Sequence, residues 1–370
     1  MTGATTASDG GGVSQSQVAP HWAALDGLRG LAVVAVLIFH ALPTVSPNGF
    51  AGVDIFFVLS GFLITSLLLR ERATTGRVSL RHFYMRRILR LDPALIMAAM
   101  GVLLLAWLDG ELREALPGVA SALVYMSHVT IALGVDSGLL SHTWTLSLEE
   151  HYYLYWPVVL LGLLRGGWWR WVAIAGLVAL ALMVIPGLLP GTLSGMYWRG
   201  LTMMIGSVVG VLLHWRRTLV KGDRWGALGS WGLLLLAVVV LAPIHLPTAL
   251  SRGPLGLPAL LSVVVILGFV GTPDSMGARA LSLPVFTWVG KRAYGLYLYH
   301  FPIILSPLVP GTFERLGVDA PLVVDLIVAL GLTILVAWGS YRWVEVPFLR
   351  MKGRFRGGIA EAETPTRAAS

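Results

Sequence analysis

Residues 25–42 read LDGLRGLAVVAVLIFHAL, and residues 52–69 read GVDIFFVLSGFLITSLLL. As helices, two apolar runs of this length are long enough to span a bilayer. Each carries ionisable groups: Arg29 and His40 in the first, Asp54 in the second. Such groups are costly in hydrocarbon and mark functional sites where they occur. His40 follows Arg29 by eleven positions, about three helical turns, so the two share one face roughly 16 Å apart along the axis. A guanidinium near one end of a helix and an imidazole near the other have the layout of a reaction path.

The rest of the chain carries the same signal. Of 370 residues, 56% are hydrophobic and 12% charged, with a mean hydropathy of +0.77. Soluble domains carry roughly twice that share of charge. The net charge of +8 sits in a few clusters between apolar runs, so it reads as membrane topology and not as a nucleic-acid surface. The absence of cysteine excludes disulfides, thiolate metal sites and a thiol nucleophile. Residues 1–20 are small and polar and read as a disordered cytoplasmic tail. They lack the basic start of a cleaved signal peptide, so the first run reads as an uncleaved anchor. Residues 350–370 read as a second short cytoplasmic tail, leaving 21–349 as one membrane domain.

Apolar runs lie near 24–44, 50–70, 92–108, 115–135, 146–165, 171–189, 196–214, 227–246, 254–272, 293–310 and 321–347. The segment 70–92 holds Arg70, Arg72, Arg77, Arg81, Arg86, Arg87 and Arg90, which assigns it to the cytoplasm. If 115–135 does not cross, every later basic cluster also falls inside; if it crosses, all of them fall outside. The expected fold is therefore an all-α integral membrane protein of about ten spans with both termini cytoplasmic. The segment 115–135 is then a re-entrant or outer-surface element packed on protein.

Four further segments hold candidate chemistry. A carboxylate that accepts one imidazole N–H raises the basicity of the other nitrogen, so His40 with Asp54 would make a general base. The plain alternative is that His40 reaches the outer interface and Asp54 caps its helix. HTWTLSLEEHYYLYWP (142–157) fits an aromatic belt, but Glu149 and Glu150 at its helix start require one carboxylate to face the interior, where it could orient His40 or bind acceptor hydroxyls. RVSLRHFYMRRILRLDP (77–93) fits either lipid headgroups or a phosphate-rich ligand held by Arg86, Arg87 and Arg90. KRAYGLYLYHFP (291–302) puts Tyr297 and His300 on one helix face, and YRWVEVPFLR puts Tyr341 and Glu345 at i, i+4. A buried hydrogen-bonded histidine and a structural Glu–Arg pair are the plain readings of these last two. No G-x-S-x-G elbow, Walker loop, H-E-x-x-H or H-x-x-x-D motif occurs, and no metal cluster is expected.

Six segments in series, LDGLRGLAVVAVLIFH, GVDIFFVLSGFLI, FYMRRILRLDPAL, HTWTLSLEEHYYLYWP, YGLYLYHFP and SYRWVEVPFLR, resemble the membrane-bound acyltransferase family 3. Its members O-acylate sugars and glycosylated natural products. The resemblance covers residues 25–350. It implies about ten spans in the cell membrane, acyl-CoA as cytoplasmic co-substrate with no bound cofactor, and functional roles for Arg29, His40, Arg86, Arg87 and Arg90. Longer members carry a further hydrolase-like domain. The early end of this chain tilts the expected acceptor toward a small glycan or a glycosylated small molecule such as a macrolide. The rival from another class is a proton-coupled polytopic transporter, which also places polar groups inside kinked helices; no inverted repeat is visible. A polytopic scaffold would have no use for His40.

Overall fold

The computed structural model describes residues 22–182, 189, 191–305 and 322–355. The expected tail 1–20, and the part of 350–370 beyond Phe355, lie outside the described residues.

The fold is all-helical. Helices α1 (Ala23–Ala41) and α2 (Gly52–Thr75) form its central pair. Asp26 lies in the first turn of α1, where a carboxylate suits the helix dipole, and the chain leaves the helix ahead of Pro43. Helix α2 stops at Gly76, whose φ of 72° is the left-handed conformation that glycine adopts without a Cβ penalty. The pair is sandwiched between two apolar clusters. One joins it to α9 (Thr202–Arg216), α10 (Asp223–Leu241) and α12 (Leu257–Gly271). The other joins it to α3 (Leu80–Leu108), α6 (Trp144–Arg165) and α15 (Ala293–Leu305). Covered on both sides, α2 buries side chains all round between Gly52 and Leu69, as an enclosed helix should. Outer helices turn large side chains outward instead: Trp107, Trp231 and Leu335 are 60% exposed or more, as lipid-facing residues should be.

Close helix approach depends on glycine. A Cβ at Gly61 would collide with the carbonyl of Met203, and one at Gly206 with the carbonyl of Val58. These two positions let α2 and α9 pack backbone to backbone, the small-residue contact that membrane helices favour.

Six helical stretches among the described residues are long and apolar enough to cross a membrane: Ala23–Ala41, Gly49–Thr75, Leu80–Leu108, Gly191–Val220, Asp223–Leu241 and Val324–Met351. Leu257–Gly271 and Ala293–Leu305 are shorter apolar helices. The disputed 115–135 region is broken into α4 (Leu112–Leu123) and α5 (Ser127–Ala132), with Tyr125 between them at φ 57°. Neither is long enough to span, and α4 packs through Val119 and Ala122 on Ala99 and Val102 of α3.

The basic segment departs from expectation. The apolar run expected from residue 92 is only the second part of a helix that begins at Leu80. Ser79 caps α3 by accepting from the His82 N–H, and the helix runs on through Pro93. Arg87 and Arg90 are thereby carried about 10 and 15 Å along the helix from Leu80.

Candidate active site

Two helices bring three guanidinium groups to one cleft. Arg29 from α1 and Arg87 and Arg90 from α3 line it, together with Ser60 of α2, Glu149 and Tyr153 of α6, and Tyr297 of α15. The cleft encloses about 650 Å³ of empty space. Glu149 is its carboxylate: Ser60 donates to Oε1 at 3.1 Å and Tyr153 to Oε2 at 3.2 Å. Arg87 lies 4.2 Å over the Tyr153 ring, a cation–π contact that holds the guanidinium across the cleft floor. Arg29 is paired in part with Asp26, 3.5 Å away. Three guanidiniums against these carboxylates leave an anion-binding surface.

Lys352, just past the final long helix, extends this charge. Burial, and the field of Arg90, Arg87 and Arg86, lower its amine to about 7. Arg86 itself is occupied elsewhere. It pairs with the buried Glu71 at 3.1 Å and donates to the Phe355 carbonyl at 2.8 Å, and Glu71 also accepts from the Ser79 N–H. Arg86 is absent from the cleft lining, a correction to the expected trio of Arg86, Arg87 and Arg90. Adjacent helical positions point about 100° apart, so one of the neighbours faces the cleft and the other faces the α2–α3 connection.

At the other end of α1 stands a histidine cluster. His300 is fully buried, and its Nε2 lies 3.2 Å from His40 Nδ1. His300 Nδ1 bonds the Tyr297 carbonyl, and His40 Nδ1 lies 3.0 Å from the Val36 carbonyl. These carbonyls only accept, so the network assigns the protons. His300 carries its proton on Nδ1 and accepts on Nε2; His40 carries its proton on Nδ1, shared between Val36 and His300. The Nε2 lone pair of His40 is left free for chemistry. His142 completes the cluster, 5.4 Å from His300 between ring centroids and stacked on Phe301. Burial and the nearby His40 push His142 down to about 3, so it stays neutral.

Tyr297 joins the two regions. It lines the cleft, donates to the His142 carbonyl at 3.0 Å, shares a 2.7 Å hydrogen bond with Thr145, and touches the His300 ring at 5.4 Å. The expected pairing of Tyr297 and His300 on one face is realised in this contact.

Several other expected contacts are not made. Asp54 does not pair with His40. It is fully buried and bound by Arg199, at 2.9 Å to Oδ2 and 3.3 Å to Oδ1, with a further bond from the Gly253 N–H. A guanidinium offers a buried carboxylate two charged donors where a neutral imidazole offers one. Neither Glu149 nor Glu150 reaches His40; His300 holds that position. Glu150 is not in the cleft lining, and its buried Oε1 has no hydrogen-bond partner. Glu345 sits in a π-helical stretch, Ser340–Glu345, with Oε1 also unpartnered. Arg292 lies 4.6 Å over the ring of Tyr341, on the same stretch. Arg199 and His142 are the site residues that sequence reasoning did not single out. Arg199 was discoverable as a lone cation inside the apolar run 196–214.

A family model described as an acyltransferase domain matches residues 22–342. A putative O-acetyltransferase of Staphylococcus aureus (strain COL) is 31% identical over 350 residues, covering 88% of this chain and 56% of that protein. The peptidoglycan O-acetyltransferase OatA of Listeria monocytogenes is 30% identical over 353 residues, covering 87% and 55%. The O-acetyltransferase OatA of Staphylococcus aureus (strain NCTC 8325) is 32% identical over 356 residues, covering 89% and 57%. The chain thus spans a little over half the length of these relatives. No solved structure matches it significantly.

Proposed function

The chain belongs to the acyltransferase family 3 as a multi-pass membrane protein, and from that premise we propose that it moves a short acyl group, acetyl foremost, from acyl-CoA to a hydroxyl of a carbohydrate-containing acceptor. The observation that carries this reading is the junction of two chemistries. An arginine cleft ends at Tyr297, and one turn further along α15 His300 holds His40 with a free Nε2.

In this reading, residues 21–349 form a membrane acyltransferase domain of about ten spans, with both flanking segments cytoplasmic. Acyl-CoA enters from the arginine-rich side. Its phosphates meet Arg87, Arg90, Arg29 and Lys352, and its extended arm directs the thioester past Tyr297. His40 Nε2 takes the proton of the acceptor hydroxyl as that oxygen attacks the thioester carbon. The C–S bond breaks, and the imidazolium returns the proton to the coenzyme A thiolate. His40 can equally carry the acyl group itself on Nε2 and pass it on. His300 acts by fixing the tautomer of His40 in either route. Glu149 organises the cleft floor through Ser60 and Tyr153, and Asp54 acts through Arg199.

The acetylated peptidoglycan in the name of the Listeria relative supports a sugar hydroxyl as acceptor. The test is direct. Purified chain in nanodiscs is incubated with radiolabelled acetyl-CoA and a panel of oligosaccharides. Label should move to sugar as an alkali-labile ester. A chain that binds acetyl-CoA yet neither transfers nor hydrolyses it would contradict the reading.

A further inference from the structure

A second concavity lies on the face opposite the arginine-rich α2–α3 connection, with about 1120 Å³ of empty space. Its walls come from the start of α6, from α8 (Gly191–Gly200) and from the segment around α11 (Thr248–Ser251). Trp144, Trp198, Thr192, Thr248, Arg199 and Arg252 are among the lining side chains. Two guanidiniums share one carboxylate here. Arg199 takes both oxygens of Asp54. Arg252 makes no ion pair among the described residues; its guanidinium lies over the Phe50 ring at 4.1 Å, and burial, with the field of Arg199 added, lowers its affinity for its proton. The groove therefore carries one uncompensated, solvent-facing cation. Stacking leaves the N–H edge of Arg252 free, and that edge is the fork that matches a planar or tetrahedral anion.

The groove borders the reactive end of α1. Phe50 meets Phe39 at 5.4 Å, Phe39 meets the His40 ring at 5.1 Å, and Trp144 stands two positions from His142. Trp198 is 40% exposed, an open aromatic face. Indole faces stack on the C–H faces of sugar rings, and hydroxyl-bearing Thr192 and Thr248 supply hydrogen bonds at the rim.

We propose that this groove binds the acyl acceptor from the outer face, and that Arg252 selects a sugar bearing an anionic group, either a carboxylate or a phosphate. The proposal rests on the acyl-transfer reading for the word acceptor, but the groove's ligand is testable without it. Wild-type chain in neutral-lipid nanodiscs is probed by saturation-transfer NMR with glucose, glucuronate and glucose 6-phosphate. At least one of the two anionic sugars should bind ten times more tightly than glucose, and which one does so identifies the anion. Arg252→Gln should erase the difference. Gly195→Trp is the second variant: Gly195 lines the groove and a Cβ there meets open space, so the indole would fill the groove without disturbing packing. It should abolish binding of all three. Donor KM should be unchanged in both variants.

Equal binding of all three sugars by the wild type, or unaltered preference in Arg252→Gln, would overturn the proposal. So would loss of sugar binding when anionic phosphatidylglycerol is added, which would reassign Arg252 to a lipid headgroup. Anionic-sugar binding without any label transfer would leave the groove standing and sink the acyl-transfer reading. Label transfer with acceptor KM unmoved in both variants would do the reverse.

Discussion

At the scale of single residues, neighbouring side chains on one helix divide the work. Arg87 faces the cleft against Tyr153, whereas Arg86 ties α3 to Glu71 and the Phe355 carbonyl. Charge reversal should separate them. Arg87→Glu is expected to raise the acyl-CoA KM at least tenfold with little change in thermal stability. Arg86→Glu places a carboxylate beside buried Glu71 and should lower the melting temperature, since breaking a buried pair leaves an uncompensated charge costing about 3–5 kcal/mol. Donor kinetics and thermal unfolding in detergent check both. Lys352 adds a pH dependence. Its amine is held near 7 by burial and three arginines, so it is charged below that pH and neutral above it. Donor KM should therefore rise as pH is raised from 6 to 8, and the rise should vanish in Lys352→Met. Stability takes the same linkage with its own sign: between 7 and the ordinary lysine value the unfolded chain binds more protons, so Lys352 makes stability climb with pH across that window.

Much of the site was legible at this scale, and the limits were physical. The spacing of Arg29 and His40 is a local, helical fact, so sequence exposes it. The partner that orients His40 is His300, 260 positions later, and the partner of Asp54 is Arg199, 145 positions later. Only packing brings those together. A carboxylate one turn into the next helix looked like the natural mate for His40, yet a buried guanidinium outcompetes a neutral imidazole for it.

At the scale of elements, the α2–α9 contact is where sequence and packing meet most tightly. Gly61 and Gly206 each face a backbone carbonyl of the opposite helix, and neither helix can retreat without unseating Ser60 or Ser207 from α6. Gly206→Ala should destabilise the protein by about 1–3 kcal/mol, as over-packing does. Gly101→Ala on α3 is the control. A Cβ there meets nothing, and alanine is the better helix former, so its melting temperature should hold or rise. Equal losses in the two variants would refute the close-packing account. Element boundaries were less legible than element existence. The arginine run of α3 reads in sequence as a segment between two spans because charge normally ends a membrane helix. Here those arginines face a polar cleft and each other's ligands, so the helix continues through them.

At the scale of the whole molecule, the proposed topology rests on the charge distribution, which would put the α2–α3 connection in the cytoplasm. Each helix of the broken pair α4 and α5 is too short to cross, and in the proposed ten-span topology this keeps every later basic cluster on the cytoplasmic side. The chain has no cysteine, so single introduced thiols report cleanly. Asp136 and Lys221 are both exposed. An impermeant thiol reagent on intact cells should label Asp136→Cys and spare Lys221→Cys. Labelling of Lys221→Cys from outside would reverse the proposed orientation of everything after residue 135, including the helices that carry Glu149 and His300, while that of α1 and α2 would stand.

The central claim is that His40 performs the chemistry while the arginine cleft holds the donor, and a single comparison separates those roles. Wild-type chain and His40→Ala are purified, their acetyl-CoA affinity is measured at equilibrium, and their turnover of radiolabelled acetyl-CoA with a saturating sugar acceptor is followed. The account predicts donor affinity within about twofold of wild type and turnover lowered by about 10²–10⁴-fold, the usual loss when a general base is removed. Near-wild-type turnover in His40→Ala would contradict it.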